Sequence, residues 1–388
     1  MATPFIPSVS MDRLQGTLFD ICLLGPRWQG SEGEAKVRAY IERTLKQSEV
    51  IYKREEFEYL AFEPGLADLV IKGSPQRKVD CEVLAYSGSG VVEAEMVYAS
   101  GEELTSSVVE GKIVLTDALK SYQAYPRAAE NGAAGFIIGN NLEQNLLRVG
   151  ATNYEGQIGN IPGIAIGSKD TQFLKELATQ EIKVRIEVVA HTKKEVGWNL
   201  IVSLKENSVE PEIIICSHYD SMWLGPHAFD NASGTAAILE LIRVLKDSPY
   251  HLTFLLCGAE ELGFWGSKAF VNQHVEKCRK LRAVVCLDGI CSDLGSVEVG
   301  ATENLVPILR EIARKRNFRV DQWSIPPRPN SDHLFFEKMG VPVFWLTSMD
   351  PFYHTAADVP EHVSKERLAR HTDFAAQTIM SLADKAMS

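Results

Sequence analysis

Long apolar runs are missing from this chain of 388 residues: none approaches the roughly 18 residues that a membrane-spanning helix needs, so no membrane span is expected. Missing too, from the amino terminus MATPFIPSVSMDRLQG, is the basic segment followed by an apolar one that marks a secretory signal. Excess positive charge is absent. Forty Lys and Arg against 51 Asp and Glu give 40 − 51 = −11, which argues against nucleic-acid binding, because that needs a basic face. An acidic balance is compatible with cationic small substrates but fixes no function. Cysteine occurs seven times (Cys22, Cys81, Cys216, Cys257, Cys278, Cys286 and Cys291) and never in a Cys-x-x-Cys spacing. The odd count and the apolar surroundings are read as reduced, mostly buried thiols of a cytoplasmic protein, with a single disulfide as the alternative.

What is present describes a folded globular chain with room for two ordinary domains: 45% apolar and 23% charged residues. Val37, Ile41 and Leu45 recur every fourth residue and predict a helix over Glu32 to Gln47, with Gly30 and Ser31 as capping residues. An extended stretch follows at Val50 to Phe62. Short β-like runs then alternate with Gly- and Asn-bearing turns: Ala67–Ile71, Ala94–Tyr98, Lys112–Leu115, Gly135–Ile138, Ile161–Ile166 and Ile182–Val189. Residues 64–192 are therefore expected to form a β-rich insert without catalytic groups, dividing a discontinuous domain of residues 1–63 and 193–388. In that outer domain strand candidates (Asn199–Leu204, Glu212–Ser217, Thr253–Cys257, Ala283–Leu287, Val341–Thr347) alternate with helices at Ser233–Lys246, about Glu303–Lys315, and Lys365–Ala383. Such alternation predicts an α/β fold: a mixed, mostly parallel sheet flanked by helices on both faces.

Chemistry concentrates in the outer domain. Glu260 and Glu261 follow the apolar run Thr253–Cys257, at the carboxyl end of a strand, where open α/β sheets hold ligands. Neighbouring side chains there point in different directions, so one carboxylate can bind a metal while the other faces a metal-bound water. His218, Asp230, Asp288 and His354 complete a set of five N/O ligands with Glu261. Five are too many for one tetrahedral zinc and suit two metals sharing a carboxylate. Charge agrees: two divalent ions bring +4, three carboxylates −3, and a bridging hydroxide the last −1. The lack of cysteine among these positions favours zinc, with cobalt or manganese as possible substitutes.

Several of these residues also have plainer readings. Asp230 could cap the helix that starts near Ser233, and Glu260–Glu261 could be a solvated pair, though adjacent like charges are unfavourable without a cation. Asp358 is read as a cap for a helix near Glu361, with orientation of the loop after His354 as the alternative, and His227 as an ordinary loop histidine, with a place in the substrate pocket as the alternative; His333 is given no metal role. Trp223, Phe264, Trp265, Phe344, Trp345 and Phe352 are read mostly as core, with one or two free to form an apolar pocket for the first side chain of the substrate.

Taken together, His218-x-Asp220, Asp230-Asn231-Ala232-Ser233-Gly234, Glu260-Glu261-Leu262-Gly263, Asp288, Ser331-Asp332-His333 and Tyr353-His354-Thr355 resemble the co-catalytic zinc aminopeptidase family that also contains glutamate carboxypeptidase and the transferrin receptor. The resemblance implies two Zn2+ ions, with His218 and Asp288 on one, Glu261 and His354 on the other, and Asp230 bridging. It implies Glu260 as general base toward a metal-bridging hydroxide, Asp220 as the partner of His218, and Tyr353 as a donor to the tetrahedral oxyanion. Gly111 to Leu115, Ala128 to Ile138 and Ile161 to Ile166 are similar to the protease-associated domain, which identifies the insert with that module.

The expected activity is hydrolysis of the amino-terminal peptide bond of peptides with a free amino terminus. A carboxypeptidase on the same scaffold would need arginines at a substrate carboxylate, for which Arg27, Arg127, Arg243 and Arg328 are candidates. A receptor-like protein that has lost its metals would lack ligands, whereas all five and Glu260 are present. A glutaminyl cyclase-like enzyme would bind one zinc. Oligomeric state is not fixed by any of these patterns.

Overall fold

Side chains alternate across a strand, so a strand that is apolar at every position must be covered on both faces. Ile213–His218, Leu252–Cys257, Ala283–Leu287 and Val343–Ser348 are apolar at most positions, with the polar residues Ser217, His218, Thr253, Thr347 and Ser348 among them, and are buried throughout. In the computed structural model, which describes residues 8–73, 76–206, 208 and 211–384, these four form the parallel centre of the outer sheet. Residues 1–7 and 385–388 of the expected outer domain lie outside the described residues, as do 74 and 75 of the expected insert. Antiparallel neighbours flank the centre, Val297–Ala301 beside Val343–Ser348 and the end of Lys183–Leu204 beside Leu252–Cys257.

The two faces of this sheet feed two cores. Ile213, Ile215, Phe254, Leu256, Val285 and Leu287 pack against helices Met11–Leu23, Glu32–Gln47, Ser233–Leu245, Val306–Lys315 and Lys365–Asp384. Ile214, Cys216, Leu255, Cys257, Val284 and Cys286 meet Phe270 and Phe336 from helices Trp265–Gln273 and Leu334–Lys338. The expected architecture is the observed one. Helix Glu32–Gln47 has its predicted bounds, because Ser31 Oγ accepts the Glu34 N–H at 3.0 Å and Val37, Ile41 and Leu45 are buried. The 13-residue helix Met11–Leu23 was not expected.

Insert and outer domain are joined by a long antiparallel ribbon. Lys53–Ile71 leads the chain out and Lys183–Leu204 brings it back, paired from Lys53↔Ile201 to Ile71↔Val184. From sequence each is expected as shorter runs, Val50 to Phe62 and Ala67–Ile71 in the first and Ile182–Val189 and Asn199–Leu204 in the second, with Pro64 and Gly65 in the gap of the first. The structure absorbs those residues in a bulge between Glu63 and Leu66, where a Cβ on Gly65 would stand 1.9 Å from the Val189 carbonyl oxygen. The expected domain boundaries therefore fall inside paired strands rather than in a loop.

Beyond the ribbon, Gly90–Tyr98, Ile113–Thr116, Gly135–Ile138 and Gly163–Ile166 run parallel, with Cys81–Val83 antiparallel at the edge. Gly90–Tyr98 also pairs with Lys183–Leu204, so backbone hydrogen bonding is continuous between the two sheets. One apolar core likewise crosses the boundary: Ile113, Leu115, Ile137, Ile164 and Ile186 of the insert share it with Met222, Trp223, Ala259 and Leu262. Those last four belong to loops at the carboxyl ends of the outer strands, so the insert is packed onto the place where Glu260 and Glu261 stand. All seven cysteines are free thiols, and no helix among the described residues is long and apolar enough to cross a membrane.

Candidate metal centre

Three neighbouring parallel strands deliver side chains to one edge of the sheet. His218 ends Ile213–His218, Asp288 directly follows Ala283–Leu287, and Glu260 and Glu261 follow Leu252–Cys257 after a two-residue turn. Asp230 comes from the loop before helix Ser233–Leu245, and His354 from the loop after Val343–Ser348. The five converge. His218 Nε2 lies 3.2 Å from Asp230 Oδ1 and 3.2 Å from Asp288 Oδ1. His354 Nε2 lies 3.2 Å from Asp230 Oδ2 and 2.9 Å from Glu261 Oε2. Each oxygen of Asp230 thus faces a different triad, and within each triad the candidate ligand atoms lie within 4.8 Å of one another.

The turn that carries the two glutamates explains why they diverge. Ala259 adopts φ +55°, a left-handed conformation uncommon for a residue with a Cβ. Its N–H donates to Gln29 Oε1 at 2.9 Å, and the next two N–H groups donate to Asp220, Glu260 to Oδ1 at 3.1 Å and Glu261 to Oδ2 at 3.4 Å. Glu260 then points into the cavity, its carboxylate 3.9 Å from His218 Nε2. Glu261 turns toward His354, and its second oxygen accepts the Met222 N–H at 3.1 Å. Asp220 was expected to orient His218, and its carboxylate does stand 3.6 Å from Nδ1, but its own main-chain carbonyl is nearer at 3.2 Å. The carboxylate is engaged mainly with the glutamate turn.

Asp358 is a correction. Expected to cap a following helix, it instead accepts the N–H groups of Phe229 (2.7 Å) and Asp230 (3.1 Å), while the turn Pro360–His362 has no side-chain cap. It pins the loop that presents Asp230. The signal missed is tertiary: the two partners are about 130 residues apart in sequence.

The insert, expected to carry no catalytic groups, supplies the partner of His354. The Val149 carbonyl faces His354 Nδ1 at 3.1 Å, and the Val149 N–H donates to the His354 carbonyl at 3.1 Å. Arg148 Nε donates to the Tyr353 carbonyl at 3.0 Å and its Nη2 donates to that of Pro351. A main-chain carbonyl has no residue type, so nothing in the sequence announces it.

Burial and charge act against each other throughout this cluster. Burial alone would lower the His218 imidazole, but the Glu260 and Asp288 charges and hydrogen bonds with Asp220 and Asp230 carry it well above its usual range. Burial likewise opposes protonation of His354, and Glu261 and Asp230 bring it up to about 9. Glu260 is pushed well above the carboxylate range by burial and by Asp288, Glu261 and Asp332, against the pull of His218. Glu261 rises to about 7, again through burial first. So much buried like charge is stable only with cations among it. His354 Nε2 is also buried without a hydrogen bond, although two carboxylates lie within 3.2 Å. An orphaned nitrogen beside buried carboxylates, in an all-N/O donor set, fits divalent zinc.

The cluster opens into a cavity of about 400 Å3 lined also by Phe229, Trp345, Met349 and Tyr353 of the outer domain and by Lys120, Tyr122, Leu142, Arg148 and Tyr154 of the insert. Of the aromatics expected near the ligands, Trp345 reaches this cavity, whereas Trp223, Phe264 and Phe344 are core. Tyr353 stacks on the His354 ring at 3.6 Å between centroids, and burial raises its phenol well above the usual range, so it keeps its proton and can donate. Among the four arginines considered from sequence, Arg328 lines the cavity. Arg27 is buried against the carbonyls of Tyr219, Pro226 and His227, and Arg243 pairs with Glu240. His333 faces the Arg328 carbonyl and stacks on Trp345, and His227 is buried 3.8 Å from Asp358. Neither belongs to a triad.

Two family models and several known proteins match the chain. Residues 199–379 match the model of peptidase family M28, and residues 79–174 match that of the PA domain. The aminopeptidase YwaD of Bacillus subtilis (strain 168) is 29% identical over 391 residues, covering 93% of this chain and 82% of that protein. The structure of BSAP, a zinc aminopeptidase from Bacillus subtilis, superposes with a TM-score of 0.78 at 25% identity, covering 98% of this chain and 96% of that one. The fold is shared as well with an aminopeptidase from Aneurinibacillus sp. strain AM-1, at a TM-score of 0.74 and 24% identity over 97% of this chain and 94% of that one.

Proposed function

Since the chain belongs to peptidase family M28 and carries an inserted PA domain, we propose that it is a zinc-dependent exopeptidase that removes amino-terminal residues from peptides. The observation that supports this most directly is the pair of buried triads meeting at Asp230. His218 and Asp288 would hold one zinc ion, Glu261 and His354 a second, with Asp230 shared by both. When bound, the ions would supply a nucleophilic water at neutral pH and polarise the scissile carbonyl.

The chain's own residues do the rest. Glu260, turned into the cavity and tied at its N–H to Asp220, takes the proton of the attacking water on a carboxylate oxygen. It passes that proton to the leaving nitrogen as the C–N bond breaks. The Tyr353 hydroxyl donates to the carbonyl oxygen as negative charge builds there. A bound ion would also help to hold the free amine of the substrate, which an acetyl group blocks. A carboxypeptidase reading would have to use Arg328, which lines the cavity, because Arg27 and Arg243 are committed to structural contacts; the relatives named as aminopeptidases favour the amino-terminal reading.

The test compares leucyl p-nitroanilide with its N-acetyl derivative on zinc-loaded protein. Hydrolysis of the free-amine substrate alone is expected. Turnover of the acetylated compound, or of a carboxyl-terminal substrate in its place, would overturn the aminopeptidase assignment.

A further inference from the structure

The cavity is lined by charges of both signs: Asp230, Glu260, Glu261, Asp288 and Asp350, and the cations Lys120, Arg148 and Arg328. Bound zinc ions would answer the first four carboxylates, and Asp350 accepts from Ser292 Oγ and the Phe352 N–H, which leaves Lys120 the least compensated of the cations. Lys120, at the start of helix Ser121–Glu130, has its ammonium 5.2 Å from the centroid of the Tyr353 ring and no carboxylate partner among the described residues. Arg148 spends its hydrogen bonds on the carbonyls of Tyr353 and Pro351, which are neutral. Arg328 pairs with Glu298, yet its Nε is buried without a partner and its guanidinium lies 5.7 Å over Trp345. Burial first, then Arg148 and Arg328, bring Lys120 down to about 8.

We infer that Lys120, backed by Arg148 and Arg328, binds a carboxylate of the substrate, so that the cavity selects amino-terminal substrates with a negative charge close to the scissile bond. This rests on the aminopeptidase reading above and adds the substrate class to it. The physical reason is desolvation. A substrate filling about 400 Å3, near the small end of ligand pockets, strips water from the Lys120 ammonium. If the substrate is neutral there, a cation is left unpaired, which is costly; if it brings a carboxylate, a charge-assisted bond forms, about twice as strong as a neutral one. The carboxylate can come from the carboxyl terminus of a dipeptide or from an acidic first side chain.

Two matched pairs separate those sources on the zinc-loaded full chain: Leu-Gly against Leu-Gly amide, and glutamyl against glutaminyl p-nitroanilide. We expect kcat/KM to favour the carboxylate by about tenfold or more in at least one pair, mainly through KM, and that pair names the source. Lys120→Met should shrink that ratio about tenfold, and Lys120→Arg should restore most of it. Ratios within twofold in both pairs, or a ratio that survives Lys120→Met, would overturn the inference while leaving the aminopeptidase reading intact. Failure to hydrolyse any of the four substrates would overturn both.

Discussion

Glu260 and Glu261 are chain neighbours assigned to different tasks, and the difference comes from one residue before them. The left-handed turn at Ala259, held by Gln29 and Asp220, sends one carboxylate toward His218 and the cavity and the other toward His354. Because Glu260 belongs to neither triad, changing it should spare metal binding. Glu260→Gln is expected to retain the full zinc content by elemental analysis while kcat falls by about 100- to 10,000-fold, the usual worth of a general base. Glu261→Gln should lose zinc as well. Retained turnover in Glu260→Gln would remove it from the proton-transfer role.

At the scale of elements, the loop of the insert that carries Arg148 and Val149 holds the loop of His354 in place. His354 sits at φ +62° in a loop beyond its strand, and the contacts that hold it there from Arg148 and Val149 come from the other unit of the chain. Partners of metal-binding histidines fix the ring and its tautomer, and their loss typically weakens metal binding by about 10- to 100-fold. Arg148→Met removes the two bonds to Tyr353 and Pro351 that keep this loop against Val149. It should weaken zinc affinity by about tenfold in competition with a chromogenic chelator. Unchanged affinity would show that the loop holds its shape without the insert.

For the whole molecule, the continuous ribbon and the shared core make insert and outer domain one packed body, and its stability carries a pH dependence set by buried histidines. His333 and His371 are both held near 4, through burial first, against the usual value of 6.5. Each is neutral in the folded chain, with one ring nitrogen facing a carbonyl (Arg328 or Arg367) and the other without a partner. The unfolded chain takes up protons below about pH 6.5 while the folded chain does not until about pH 4, so stability is complete above 6.5 and declines as pH falls through that window. For one such histidine the loss between pH 7 and pH 5 is about 2 kcal/mol. Urea unfolding of His371→Phe should show a slope with pH that is shallower by about that amount over the same interval. An unchanged slope would mean that His371 already charges in the folded state.

The division between what the sequence determined and what folding added follows from the range of the forces involved. Strand and helix periodicity is local, so the buried centre of the outer sheet, helix Glu32–Gln47 and the positions of His218, Glu260, Glu261 and Asp288 past their strands were legible directly. The five candidate ligands were named from sequence by residue type and motif, and the structure brings their donor atoms together in two triads. The gap between the runs Val50 to Phe62 and Ala67–Ile71 misled, since a local pattern cannot reveal that a partner strand will carry the pairing across it through a bulge. Asp358 misled for the same reason, its acceptors being used by N–H groups distant in sequence. Main-chain groups such as the Val149 carbonyl, and isolated cations such as Lys120 and Arg148, gain meaning only from what stands opposite them. That opposition is created by tertiary packing: local pattern chose the reactive groups, and the folded chain decided which charges they would face.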